Sequence, residues 1–291
     1  MAAAACTQGV DTGFIALGYA KVAVLGVVQG ITELLPISST AHMRVVPALL
    51  GWQDPGSAFS AAMQLAALGA VLAYFWADVR NLVFGATGAL LRGDFGSRDF
   101  RMALYIALAT IPIVLGGLFL KDTLNACGSP LRGLGVIGVA CIVMAVLLAA
   151  AELAARHTRT YEQVTLWDAM IVGLAQVGAL IPGVSRSGST LTAALFLGFR
   201  REEAARFSFL LGLPAIAAAG FKELWELKKI GLSAEGWSVL GVGLAVAAVS
   251  AFVAIFALMR VMERFSSWPF VFYRAAMGGL LLMLVYQGVM A

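Results

Sequence analysis

Long apolar stretches alternate with short polar breaks along this chain, and two of the breaks differ from the rest. Phe14 to Leu35 is apolar but interrupted by polar residues, and Pro36 ends it. Proline lacks an N–H and pushes the residue before it away from the α conformation. Ala41 to Leu50 is a short return that stops at Gly51. Ser57 to Ala77 is a full span. Residues 78–99 form a polar connection with room for a surface helix. Phe100 to Leu120, with Pro112 expected to kink it, and Gly133 to Ala155 are further spans. The pattern then restarts. Leu166 to Ile181 breaks at Pro182-Gly183, Leu191 to Phe199 returns, and Ala204–Leu224, Trp237–Met259 and Pro269–Tyr286 follow. Runs of roughly 20 apolar residues cross hydrocarbon. The expectation is therefore an all-α polytopic membrane protein with six transmembrane helices. To these it adds two re-entrant helix–loop–helix hairpins, whose loops must be sheltered by protein.

The restart has a fixed offset. Gln29 and Ser38 answer Gln176 and Ser185, Gly26 answers Gly173, and Phe59-Ser60 answers Phe207-Ser208, at offsets of 147, 147 and 148. Repeats near 14–155 and 166–291 each hold one hairpin and three spans, within a single integral membrane domain covering 1–291. An odd number of spans inverts the second repeat relative to the first. Inverted repeats with broken helices place a site near the bilayer midplane, where the repeats meet.

Composition agrees. Of 291 residues, 61% are hydrophobic and 12% charged, with a mean hydropathy of +0.91. A soluble domain is about a quarter charged, and a barrel would show weak alternation instead. The net charge of +4 does not point to nucleic acid; it records basic loops. Residues 1–13 are Ala-rich without Lys or Arg, so no signal peptide is expected there. Cys6, Cys127 and Cys141 have no metal spacing and read as packing residues. If the first hairpin enters from outside, twelve basic residues lie in cytoplasmic connections, Arg274 among them. Five lie outside, including Lys121 and Arg132. That bias puts both termini outside. A homodimer is compatible with the sequence.

Polar chemistry concentrates at the two breaks. Gln29 and Glu33 are four apart and share a helix face. Ser38, Ser39 and Thr40 offer hydroxyls and an N-cap, and His42 follows within one turn. A carboxylate, an amide, three hydroxyls and an imidazole are costly to place in lipid without a role. Pro182-Gly183-Val184-Ser185-Arg186-Ser187-Gly188-Ser189-Thr190 supplies the missing cation. An arginine at membrane depth needs an anion, and its fork suits a phosphate. Ser185, Ser187 and Thr190 add donors, and the helix that follows offers its N-terminus. The alternative is a structural pair between Arg186 and Glu33, which an empty site would accommodate. Gln64 and Gln176 are candidate partners of the loops, Asp168 reads as an N-terminal helix charge, and His157 as a solvated loop residue.

Gln29-xxx-Glu33 with Ser39 and His42, together with Pro182-Gly183-x-Ser185-Arg186-Ser187-x-x-Thr190, resembles the undecaprenyl-pyrophosphate phosphatase, or bacitracin-resistance, family. Many members carry Glu where this chain has Gln29. The resemblance covers nearly the whole chain. It implies hydrolysis of undecaprenyl diphosphate to the monophosphate and inorganic phosphate in the bacterial cytoplasmic (inner) membrane. The lipid carrier of cell-wall assembly would be recycled there, at a site facing the periplasm. Glu33, Ser39, His42 and Arg186 would be catalytic, and Gln29, Ser38, Thr40, Ser185, Ser187 and Thr190 would bind substrate. Ser39 as nucleophile with His42 or Glu33 as base, or His42 as nucleophile, both remain open. Gln29 and Glu33 would hold a divalent cation, Mg or Ca, arriving with the substrate phosphates that complete its shell. The competing class is a transporter or flippase for a prenyl phosphate or another anionic lipid.

Overall fold

The structure, a computed structural model, describes residues 6–7, 10–120, 131 and 133–288. Lys121, Cys127 and Arg132 lie outside the described residues. The fold is helical except for a short antiparallel ribbon of β1 (Cys6–Thr7) and β2 (Val10–Asp11). The helices are α1 (Phe14–Leu34), α2 (Ser39–Leu49), α3 (Ser57–Tyr74), α4 (Trp76–Arg80), α5 (Ala86–Arg92), α6 (Arg98–Phe119), α7 (Leu134–Ala154), α8 (Leu166–Val177), α9 (Arg186–Phe196), α10 (Arg201–Lys229), α11 (Ala234–Arg264) and α12 (Trp268–Tyr286). A wide-turn segment, Asn81–Gly85, joins α4 to α5.

Seven helices among the described residues are long and apolar enough to cross a membrane. Six coincide with the expected spans. The seventh is α1, expected as one limb of a hairpin. Gly18 breaks its helical geometry at φ 70° and ψ 177°, a conformation open to glycine because it has no Cβ. Length and composition thus admit α1 as a span, which the sequence reading had withheld because of its polar load.

Packing follows the small residues. A Cβ on Gly30 would meet Ser250 Oγ at 2.1 Å, and one on Gly26 would meet the Gly243 carbonyl at 2.8 Å. That lets α1 lie flush on α11. Gly173 does the same for α8 on α6, where an added Cβ would meet the Ala109 carbonyl at 2.3 Å. α3 packs on α10 and α7 on α12. The main core gathers Phe75, Leu148, Leu195, Phe199, Phe207 and Leu211.

Ion pairs and polar contacts gather at both ends of the helices. At one end, Arg201 Nε donates to Glu152 at 2.7 Å, Ser267 Oγ to the same carboxylate at 2.8 Å, and Arg159 to Asp168 at 2.9 Å. Arg206 also reaches Asp78. Asp168 forms a capping box with Thr165, as an N-terminal charge should. His157 is not the solvated residue expected: it is half-buried, with Nε2 4.0 Å from Glu152. The opposite end carries a Tyr19–Ser238 hydroxyl contact of 2.6 Å and Lys21 over Trp52.

Candidate active site

The two breaks are built alike. α1 stops at Leu35, which turns extended ahead of Pro36, and Ser38 then takes φ 74°. Its Oγ accepts from the Ala41 N–H at 3.4 Å and caps α2. In the second break, Ser185 takes φ 71° and its Oγ accepts from the Gly188 N–H at 3.1 Å, capping α9. A left-handed backbone at a non-glycine residue costs on the order of 1 kcal/mol. The cap and the surrounding contacts hold it in place at both loops.

Glu33 is where the loops meet. Its Oε1 accepts from Arg186 Nη2 at 2.7 Å. Its Oε2 accepts from Gln29 Nε2 at 2.9 Å and from the Ser39 hydroxyl. Glu33 is 5% exposed, so this carboxylate is desolvated and paired with a part-buried guanidinium. Arg186 Nη1 also donates to the Gly212 carbonyl at 3.2 Å. One carboxylate therefore binds the cation of the second loop and the hydroxyl that follows the first.

His42 stands slightly apart. Its Nδ1 lies 2.7 Å from the Ser38 carbonyl. A carbonyl only accepts, so Nδ1 carries the proton and Nε2 is left as acceptor. Nε2 meets the Tyr273 hydroxyl at 2.6 Å, and the two rings stack at 5.6 Å. The imidazole is thus engaged with Tyr273, and the hydroxyl of Ser39 faces Glu33.

The sequence reading missed Arg274 as well as Tyr273. Arg274 was counted among cytoplasmic loop residues, but it is fully buried inside α12. Nη1 donates to the Pro36 carbonyl at 2.9 Å, and Nη2 donates to the Gly183 and Val184 carbonyls at 2.7 and 3.0 Å. It therefore ties both loops together. The signal was available: an arginine one turn and more inside an apolar run should have been read as intramembrane.

Other expected substrate binders face the backbone. Ser187 Oγ donates to the Leu35 carbonyl at 3.1 Å and the Glu33 carbonyl at 3.3 Å. Thr190 Oγ1 donates to the Arg186 carbonyl at 2.8 Å. Thr40 Oγ1 sits 3.2 Å from Ser38 Oγ, and Ser185 Oγ sits 3.2 Å from Ser187 Oγ. These hydroxyls shape the loops in this state. Gln176 is fully buried, yet neither amide atom has a hydrogen-bond partner.

Among the described residues no three His, Cys, Asp or Glu side chains come together as a metal-holding group. Gln29 Oε1, however, is buried beside Glu33 without a partner. One free amide oxygen and one carboxylate suit a hard cation only if phosphate oxygens supply most of its shell.

The family model described as "Bacitracin resistance protein BacA" matches residues 22–280. The chain belongs to this family. Relatives extend the match over nearly full length. "Undecaprenyl-diphosphatase 2" of Mesorhizobium japonicum is 70% identical over 263 residues, covering 90% of this chain and 100% of the relative. "Undecaprenyl-diphosphatase" of Gloeobacter violaceus is 52% identical and covers 94% of each chain. That of Trichormus variabilis is 46% identical over 98% of this chain and 90% of its own. The BacA match contains both breaks and the first part of α12, so the Glu33–Arg186 pair, the two capping serines and Arg274 all fall within it.

Proposed function

We propose that this protein hydrolyses undecaprenyl diphosphate to undecaprenyl phosphate and inorganic phosphate, recycling the lipid carrier of cell-wall assembly. Membership of the BacA family and the names of its relatives support the substrate. The observation that carries the chemistry is the shared Glu33 carboxylate, with Ser39 on one oxygen and Arg186 on the other.

In this reading the arriving diphosphate takes Arg186 from Glu33. The planar fork then holds phosphate oxygens as charge builds on them. Glu33, released from the ion pair, accepts the Ser39 proton, and Oγ attacks the terminal phosphorus. The P–O bond to the bridging oxygen breaks, and undecaprenyl phosphate leaves. Water next attacks the phosphoserine, the P–Oγ bond breaks, and Ser39 recovers its proton as inorganic phosphate departs. Glu33 is preferred to His42 as base because it already accepts from Ser39. His42 Nε2, held by Tyr273, is less free to act as nucleophile. Gln29 and Glu33 would hold Mg or Ca brought with the phosphates, and the bound ion would offset charge on the phosphate oxygens.

The same reading makes the α1–α2 and α8–α9 units re-entrant and the halves 14–155 and 166–291 inverted repeats of one integral domain. Several features support this: the matched serine geometry, return helices of 11 residues each, and the reciprocal pairing of α1 with α11 and α8 with α6. The basic cluster at Arg159, Arg201 and Arg206 faces the cytoplasm. The site then opens to the periplasmic side of the inner membrane. A Ser57→Cys variant should react with an impermeant thiol reagent on intact cells; labelling only after lysis reverses the orientation.

The deciding experiment is phosphate release from undecaprenyl diphosphate by purified protein in detergent. Detergent has no leaflets, so a pure transporter releases nothing there, and that result overturns the proposal.

A further inference from the structure

A head group lowered to the midplane from outside sends its tail into the opposite half of the bilayer. The undecaprenyl chain is longer than one leaflet is deep, so the protein must offer it a way out. A groove of about 640 Å³ lies in the required place. Leu108, Ile111 and Leu115 of α6 line one wall, and Trp167, Leu174 and Val177 of α8 the other. Its midplane end is Val177, next to the turn Gly178–Leu180 that leads into the loop carrying Arg186. Its far end is Trp167, which is 78% exposed, a residue type suited to the interface. α8 has 12 residues, roughly 18 Å of rise, close to half of a hydrocarbon core about 30 Å thick.

α1 meets α11 across Gly26 and Gly30, so closely that added Cβ atoms would collide with the Gly243 and Ala247 carbonyls. α8 touches α6 through Gly173 near its middle, and beyond it Val177 and Leu180 bridge to Gly116 at 3.1 and 3.0 Å from an added Cβ. The wall between these contacts stays open towards lipid.

We infer that the α6–α8 groove is the binding site for the prenyl tail of the substrate, entered from the Arg186 loop and running towards the cytoplasmic surface. This rests on the phosphatase reading for the identity of the tail. Chain-length preference then resides in Leu108, Leu166 and Trp167, at the end of the groove farthest from the reacting phosphorus.

Two measurements on the full-length protein in detergent test it. The first is independent of turnover. Undecaprenyl diphosphate bearing a diazirine at its far end is irradiated with the wild-type protein, and the labelled peptides are mapped. Label within 108–115 or 166–177 that excess unmodified substrate displaces is the expected result. Label confined elsewhere, or displaced equally by ordinary phospholipid, overturns the inference. The second measurement compares chain lengths. Leu166→Trp, at an exposed position of the far end, should raise KM for undecaprenyl diphosphate on the order of tenfold, while KM for farnesyl diphosphate stays within about twofold. An equal effect on both substrates, or none on either, overturns it. A wild-type protein that releases no phosphate from either substrate rejects the phosphatase reading instead, and the photolabel still decides the groove.

Discussion

The two loops share a backbone and differ in where they put their charge. Each enters an 11-residue return helix through a serine, with φ of 74° at Ser38 and 71° at Ser185. In the first loop the charged residue precedes the break: Glu33 lies in the last turn of α1. In the second it follows the break: Arg186 opens α9. A carboxylate at a helix C-terminus and a cation at an N-terminus both oppose the helix dipole. Neither placement is comfortable alone, and each is relieved by the other. A phosphate offers a second form of relief, since it suits both Arg186 and the N-terminus of α9. The pair is thus poised for exchange.

Removing the acid or its hydroxyl should cost most. Ser39→Ala and Glu33→Gln should each lower turnover about 10³-fold or more, the scale of losing a nucleophile or its base. Glu33→Gln should also lower thermal stability, because it leaves the part-buried Arg186 without its carboxylate partner. Ser39→Ala should fold normally and accumulate no phosphoenzyme. Turnover surviving in Ser39→Ala assigns attack to another group, His42 first.

On the other loop, Arg186→Lys keeps the charge but loses the fork. Turnover should fall about 10²-fold while the protein still inserts and binds detergent normally. Near wild-type phosphate release from this variant would remove the clamp from the comparison.

Arg274→Lys tests whether the loops act as one body. Lysine cannot reach the carbonyls of Pro36, Gly183 and Val184 together, so the melting temperature should drop and turnover should fall about tenfold. A fall in turnover at unchanged melting temperature would instead make Arg274 a substrate contact.

The smallest effect is expected at Gln29. Gln29→Glu should keep turnover within a few-fold and shift the divalent-cation titration to lower concentration, since added charge favours a hard cation. An unchanged titration places the ion away from residue 29.

Much of this was legible in one dimension because it is local. Pro36 and Pro182-Gly183 announce the breaks, and serine at the next helix start announces the caps. Glu33 and Arg186, as charges inside apolar runs, announce their pairing. Contacts that depend on distant segments were not legible. Tyr273 is 231 residues from His42, and no periodicity links them. Nor were the contacts of Ser187 legible: its hydroxyl donates to the Glu33 and Leu35 carbonyls, more than 150 residues away. Arg274 was assigned to a loop because positive charge near a span end is usually a topology signal.

Arg274 also bears on the order of assembly. Both loops are synthesised before α12, and until it arrives the carbonyls of Pro36, Gly183 and Val184 lack the donor that joins them. A nascent chain can hold Glu33 and Arg186 in the membrane without yet having a finished catalytic centre. Insertion of α12 adds a further tie between halves that already meet through α1 on α11, α3 on α10 and α8 on α6. The last helix to be made is therefore the one that completes the hydrogen bonding of both loops.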